Sequence, residues 1–197
     1  MATINYGYRE ISCKIVYYGP GMSGKTTNLE TIHKKVPATS RGDLTSLATK
    51  TDRTLFFDLL PLDLGTIKGF KTKFQLYTVP GQVYYNATRK LVLRGSDGVV
   101  FVADSQPDRM EDNIESLQNL EDNLKEQNMN IDELPLVLGW NKRDLPDVMD
   151  VDELNEKLNR WGTPNFEMEA LNGRGVFDAL RAVTRLVLEK IEKEGVR

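Results

Sequence analysis

Residues 14–28 read KIVYYGPGMSGKTTN, and no other stretch restricts the fold of this chain as tightly. An apolar run of strand type stops at a glycine-rich turn, and the residues beyond the turn suit a helix. Gly19, Gly24, Lys25 and Thr26 fill every fixed position of the pattern G-x-x-x-x-G-K-[ST]. The glycines let the backbone turn so tightly that successive N–H groups converge on one anion. The contacts expected for that anion run through Gly19, Gly21, Met22, Ser23, Gly24, Lys25, Thr26 and Thr27. A helix opening near Lys25 adds its dipole and free N–H groups. Lys25 is expected to reach the β- and γ-phosphates, which gives it a catalytic as well as a binding part, and the Thr26 hydroxyl is expected to ligate Mg²⁺. Chance produces the bare pattern in a chain this long about once in a hundred, and the strand before it and helix after it lower that further. Such a loop holds a nucleoside triphosphate.

The rest of the chain has the rhythm of an α/β domain. Strand-length apolar runs fall at 11–18, 54–60, 70–79, 98–104, 134–140 and 165–170. The second and third are expected to form an antiparallel hairpin through PLDLGTIKG, since no helix fits between them. Met110, Ile114, Leu117, Leu120 and Leu124 recur at helical spacing, as do Val151, Leu154, Leu158 and Trp161, and then Phe177, Leu180, Val183, Val187 and Ile191. These stripes predict helices packed on both faces of a mostly parallel six-stranded sheet. The first nine residues are expected to add an edge strand, and EKIEKE near the end a solvated helix end. At 197 residues the chain reads as a single domain, 1–197.

A hydrophobic fraction of 40%, a charged fraction of 28% and a net charge of −3 describe a globular chain without a basic nucleic-acid footprint. The longest apolar run, VVFVA, is too short to span a bilayer. The first residues lack the apolar stretch of a signal peptide, Ala2 excludes N-myristoylation, and EKEGVR offers no cysteine for prenylation. The expectation is a cytoplasmic protein with no direct lipid anchor, reaching a membrane only through a partner. Cys13 alternates with apolar neighbours and reads as a core thiol. His33 has no second histidine or cysteine cluster for a metal site, and Trp140 and Trp161 read as packing residues. Arg89, Lys90 and Arg94 read as a solvated helix face, with a partner surface as the alternative.

Asn141-Lys142-Arg143-Asp144 follows the run LPLVLGW, at a strand's C-terminal end, where ligands bind in open α/β sheets. Asp144 can accept from guanine N1–H and its exocyclic amino group together, and adenine offers no such pair of donors. Asn141 can bond the base edge and tether the phosphate loop, and the stem of Lys142 can cover the ring face. Together with the phosphate loop about 120 residues earlier, this points to GTP over ATP.

In that order and spacing the motifs resemble those of the Ras-superfamily small GTPases over nearly the whole chain. YYGPGMSGKTTNL, DRTLFFDLLPLDLG, FKTKFQLYTVPGQVYYNATRKLVLRG and DGVVFVADSQ resemble a narrower group, the bacterial gliding-motility and cell-polarity GTPases of the MglA type. The resemblance implies the P-loop NTPase fold, GTP and GDP as ligands and Mg²⁺ as cofactor. In TVPGQ it implies that Gly81 offers its N–H to the γ-phosphate and Gln82 orients the attacking water. Arg53 would be an arginine finger in cis, and Thr54 the switch threonine that completes the Mg²⁺ shell. The backbone of Ala170 would contact guanine O6.

Two positions depart from the family pattern. Thr78 stands where an aspartate usually helps to hold Mg²⁺, and Asp58 on the neighbouring strand is expected to compensate. Glu169 stands where a serine is common. The resemblance further implies a roadblock-domain homodimer of the MglB type as GTPase activator, polarity or motility effectors of the GTP form, and recruitment to the cell pole. It also implies that the second strand and first switch shift register between states, for which Gly65 and Gly69 supply pliable turns. A GTP-hydrolysing switch is the leading reading. A nucleotide-holding module with negligible hydrolysis is the alternative, and a small P-loop kinase is weaker because no arginine-bearing lid is visible.

Overall fold

The computed structural model describes residues 2–49 and 52–194, without the side chains of 47–56 and 83. The strands are β1 (Thr3–Asn5), β2 (Glu10–Tyr18), β3 (Thr45–Thr49), β4 (Asp52–Ile67), β5 (Phe70–Thr78), β6 (Gly98–Asp104), β7 (Leu136–Asn141) and β8 (Asn165–Glu167). The α-helices are α1 (Lys25–Lys35), α2 (Asn86–Leu93), α3 (Met110–Glu126), α4 (Val151–Leu158) and α5 (Val176–Glu194). The strands form one sheet of order β3-β4-β5-β2-β6-β7-β8, with β1 antiparallel to the start of β2. From β5 through β2, β6 and β7 to β8 every pairing is parallel. The β4 pairings, to β3 and to β5, are antiparallel.

Alternation along β2 divides the core. Ile11, Cys13, Ile15 and Tyr17 face α1 and α5, where they meet Leu29, Ile32, Val183 and Val187. Val16 and Tyr18 face the other way, toward Val92, Leu117, Leu120, Leu154 and Trp140. That period of two lets one strand feed two apolar layers. β6 and β7 are buried at every position, as parallel strands covered on both faces must be, and burying each large side chain contributes roughly 1.5–3 kcal/mol. Cys13 lies inside, and burial pushes its thiol up to about 12. Trp140 is buried with Nε1 donating to Asn165 Oδ1, and Trp161 packs beside the same cluster. His33 is half-buried beside Arg41.

The fold differs from the expected one in three particulars. The β1 strand forms as expected, but β3 adds an eighth strand that the sequence does not announce. TSLAT is short and polar, and it is a strand because β4 offers it an open edge. The hairpin of β4 and β5 is longer than its apolar runs. Most of PLDLGTIKG is strand, and the turn shrinks to Lys68-Gly69, both at positive φ (51° and 83°), as a two-residue hairpin of right-handed twist demands. A register shift between Asp63 and Thr66 leaves Gly65 in a bulge whose N–H is held by Asp63 Oδ1 at 2.9 Å. Third, α3 buries a rotated face. Ile114 is 46% exposed, while Asn113, Ser116 and Asn123 are buried. Asn113 explains part of this rotation. Its amide exchanges two hydrogen bonds with the backbone of Asp104, at 2.9 and 2.8 Å, and fixes the helix against the end of β6.

All the parallel strands point their C-terminal ends at one rim. The loops after β2, β5, β6, β7 and β8 therefore meet there, the crevice in which open α/β sheets bind ligands.

Candidate functional site

The glycine-rich loop joins β2 to α1. Gly24 caps α1 in a left-handed conformation (φ 99°), and the first turn of that helix holds no acidic residue. A side chain on Gly24 would be strained there and would put its Cβ 2.2 Å from Asn141 Nδ2. Only glycine lets the base-binding segment come this close. The N-terminus of α1 thus presents unopposed N–H groups, a ready anion site. Lys25 is 6% exposed, and its ammonium folds back on the carbonyls of Gly19 and Pro20 at 3.0 and 2.6 Å. Burial first, and then the charge of Arg89, pushes it down to about 7, while Asp58 acts in the opposite direction. A phosphate in the loop would restore the ammonium.

Gly81, after β5, lies against this loop. A Cβ there would meet Gly21 Cα at 2.2 Å, and a Cβ on Gly21 would lie 3.8 Å from Gln82 Cγ. Gln82 is exposed at the tip of the loop, next to where a terminal phosphate would end. Arg53 and Thr54 lie in β4, but their side chains are outside the described residues.

Asp58 is wholly buried and faces the loop. Its Oδ2 accepts from Thr26 Oγ1 at 2.7 Å and from Thr78 Oγ1 at 2.7 Å. Its Oδ1 accepts from Ser46 Oγ, whose residue is its register partner on β3. The Asp58 N–H also donates to Thr78 Oγ1 at 2.9 Å. By giving its proton to Asp58, the Thr26 hydroxyl keeps oxygen lone pairs for a hard cation, the arrangement by which outer carboxylates orient metal ligands. Among the described residues no cluster of three His, Cys, Asp or Glu forms a metal site by itself. The donor set suits Mg²⁺, which takes few protein ligands and draws the rest from phosphates and water.

On the base side, Asn141 is 2% exposed and ties three loops together. Its Nδ2 donates to Ser23 O at 2.7 Å, its Oδ1 accepts from Ala170 N at 3.0 Å, and Ala170 O accepts from Thr31 Oγ1 on α1 at 2.6 Å. The Ala170 N–H, expected on guanine O6, is thus engaged by Asn141 here. Lys142 adopts positive φ (69°) and pairs with the buried Asp104 at 2.6 Å, which lays its stem across the crevice. Asp144 is exposed. Glu169 is held by Arg174 at 2.8 Å and by Asn172 at 3.2 Å, so its loop is closed by an ion pair in place of a serine.

Two contributors escaped sequence reasoning. Asp104 ends β6 and joins Lys142 to Arg109, whose Nη2 donates to Gly21 O at 2.8 Å. DSQPDR follows an apolar strand directly, a signal that could have singled them out. The expectation of a solvated face at Arg89 is overturned: Arg89 is fully buried, because α2 lies down on α3 and Ser116 accepts from its Nη2 at 2.6 Å. Lys90 is half-buried and pairs with Glu126 on α3; Arg94 is exposed.

Residues 3–184 match the ADP-ribosylation factor family. The chain is also 58% identical over 195 residues, 99% of its own length and 100% of the other's, to the mutual gliding-motility protein MglA of Myxococcus xanthus (strain DK1622).

Proposed function

We propose a polarity or motility switch, on the premise that this chain belongs to the ADP-ribosylation factor family, within the Ras-like small GTPases, and is a GTPase. The likeness to a gliding-motility protein supports the cellular role. The observation that carries the switch is Asp58. It joins Thr26, the first residue a Mg²⁺ ion would meet, to Thr78 and to Ser46 on the edge strand. Whatever reorganises the ion site therefore pulls on the sheet edge.

In this reading Thr26 ligates Mg²⁺, and Asp58 supplies the negative charge that Thr78 lacks. The ion, when bound, neutralises charge on the β- and γ-phosphates. Lys25 binds the same phosphates, Gly81 offers its N–H to the terminal one, Gln82 orients the attacking water, and Arg53 neutralises charge that builds as the β–γ bridge breaks. Asp144 and Asn141 select guanine, with Ala170 N–H turning from Asn141 to guanine O6. Thr54 lies four residues before Asp58 in β4, so about 13 Å of strand separates their Cα atoms. For Thr54 to complete the ion's shell in the GTP form, β4 has to slide along β5. The bulge at Gly65 and the turn at Gly69, where added Cβ atoms would meet nothing within 4 Å, leave room for that. The slid form recruits effectors at the pole, and hydrolysis resets it.

The activator in this reading is a roadblock-domain homodimer that positions the switches and donates no arginine. Single-turnover GTP hydrolysis with and without such a homodimer tests it. A slow basal rate and a large stimulation are expected. Equal rates in both arms would remove the activator from the scheme.

A further inference from the structure

The site as described leaves one buried cation without a role. Arg89 on α2 is fully buried, its guanidinium stacked 4.3 Å over the ring of Tyr18, the residue just before the phosphate loop. Nη2 donates to Ser116 Oγ, but Nε and Nη1 have no hydrogen-bond acceptor among the described residues. The polar groups around it are neutral. Tyr18 Oη donates to Asn119 Oδ1 at 2.7 Å, and Asn123 Nδ2 donates to Tyr18 Oη and Asn86 Oδ1 at 2.9 and 2.8 Å. A guanidinium taken out of water among neutral hydroxyls and against an aromatic face is poorly compensated unless an anion answers it. Burial pushes the guanidinium down, and the Tyr18 hydroxyl and then Glu115 act against it more weakly. A second buried basic group, Lys25, lies in the loop that Tyr18 leads into. Of the buried carboxylates near the anion cradle of α1, Asp104 is already answered by Lys142 and Arg109, which leaves Asp58 to face Lys25 and Arg89.

We propose that Arg89 is a positioning residue for the nucleotide: the polyphosphate in the loop is the counter-charge that both Lys25 and Arg89 lack, so seating α2 on α3 is coupled electrostatically to loop occupancy. This rests on the reading that the loop holds a guanine nucleotide. The coupling acts through space and needs no contact between Arg89 and phosphate. Because α2 follows Gln82, the same charge also biases where the water-orienting side chain comes to rest. A third phosphate adds charge, so the effect is larger for GTP than for GDP.

The test uses Arg89→Gln, Arg89→Lys and Ser116→Asp, with nucleotide dissociation constants for GDP and a non-hydrolysable GTP analogue, and melting curves with and without nucleotide. Arg89→Gln should lose about tenfold in affinity, about 1.4 kcal/mol, and more for the triphosphate, with no loss of melting temperature in the nucleotide-free protein. Arg89→Lys, which keeps the charge, should stay within about twofold of the parent. Ser116→Asp offers Arg89 an internal counter-ion. It should raise the nucleotide-free melting temperature and weaken nucleotide binding by a similar factor. A purely structural arginine predicts neither effect. Unchanged affinity in Arg89→Gln, equal losses in the Gln and Lys variants, or unchanged or tighter binding in Ser116→Asp would each overturn the proposal. If Arg89→Gln does not fold, the Lys and Asp variants still decide. Failure of the parent itself to bind GDP would instead refute the nucleotide reading beneath it.

Discussion

Replacing Asp58 by asparagine isolates charge from shape. The carboxylate accepts from Thr26, Thr78 and Ser46 inside the protein, and asparagine keeps one oxygen for two of those hydroxyls. Its new amide meets a hydroxyl that can turn to accept. The fold should therefore lose only about 1 kcal/mol, the net worth of one hydrogen bond. Removing the charge has a larger consequence for the ion. Loss of a carboxylate that orients a metal ligand typically costs 10–100-fold in metal affinity, about 1.4–2.8 kcal/mol. Release of a fluorescent GDP analogue, followed against free Mg²⁺, reads this directly: the concentration that halves the release rate should rise by that factor. A midpoint within twofold of the parent would refute a role for Asp58 at the ion. A charge swap sharpens the test. Thr78→Asp alone places a second carboxylate where a hydroxyl now sits 2.7 Å from Asp58, and should impair folding by like-charge repulsion. Thr78→Asp combined with Asp58→Asn keeps one carboxylate, as the wider family does, and should recover the parent's Mg²⁺ requirement.

Asp144→Asn should weaken GTP binding and favour xanthosine triphosphate, whose 2-oxo group needs a donor; unchanged GTP affinity by competition binding would contradict the base assignment. Arg53→Ala and Gln82→Leu should still bind GTP but lose turnover by roughly 10³, and near-normal single-turnover rates in Arg53→Ala would strike the arginine from the catalytic set. Without nucleotide Lys25 is held down to about 7 by burial, and a polyphosphate would return its ammonium to the ordinary lysine range, so binding takes up a proton. Affinity should then fall as pH rises from about 7 to 8.5, by at most tenfold per unit, with proton uptake visible as buffer-dependent binding heats; binding heats independent of buffer at pH 8 would contradict it.

The phosphate loop and the segment Asn141–Asp144 could be read from the chain because their chemistry is contiguous. Backbone N–H groups of neighbouring residues make the anion cradle, and a strand before each motif delivers it to the rim. The pairing of Asn141 with the loop was foreseeable for the same reason, and it is met at Ser23 O. The apolar runs likewise set out the parallel strands, since a strand covered on both faces has no choice but to be apolar. TSLAT carried no such signal, for an edge strand owes its existence to the neighbour it pairs with.

What tertiary structure decided is which way side chains face when register, not composition, controls them. Asp58 alternates in β4 between apolar neighbours, and a one-residue slip would turn it away from Thr26. Thr78 departs from its family in isolation, yet beside Asp58 it becomes one half of a hydrogen-bonded pair across two strands. Arg89 reads as a surface residue by type, and α3 reads as apolar at Ile114. The docking of α2 on α3 reverses both, burying Arg89, Ser116 and Asn123 and exposing Ile114. Local sequence specified the ligand because recognition elements of consecutive backbone need no partner to acquire their shape. The electrostatics around the ligand arise between residues 20 to 32 positions apart, in the Asp58 and Arg89 contacts, and distances of that kind exist only once the sheet has closed.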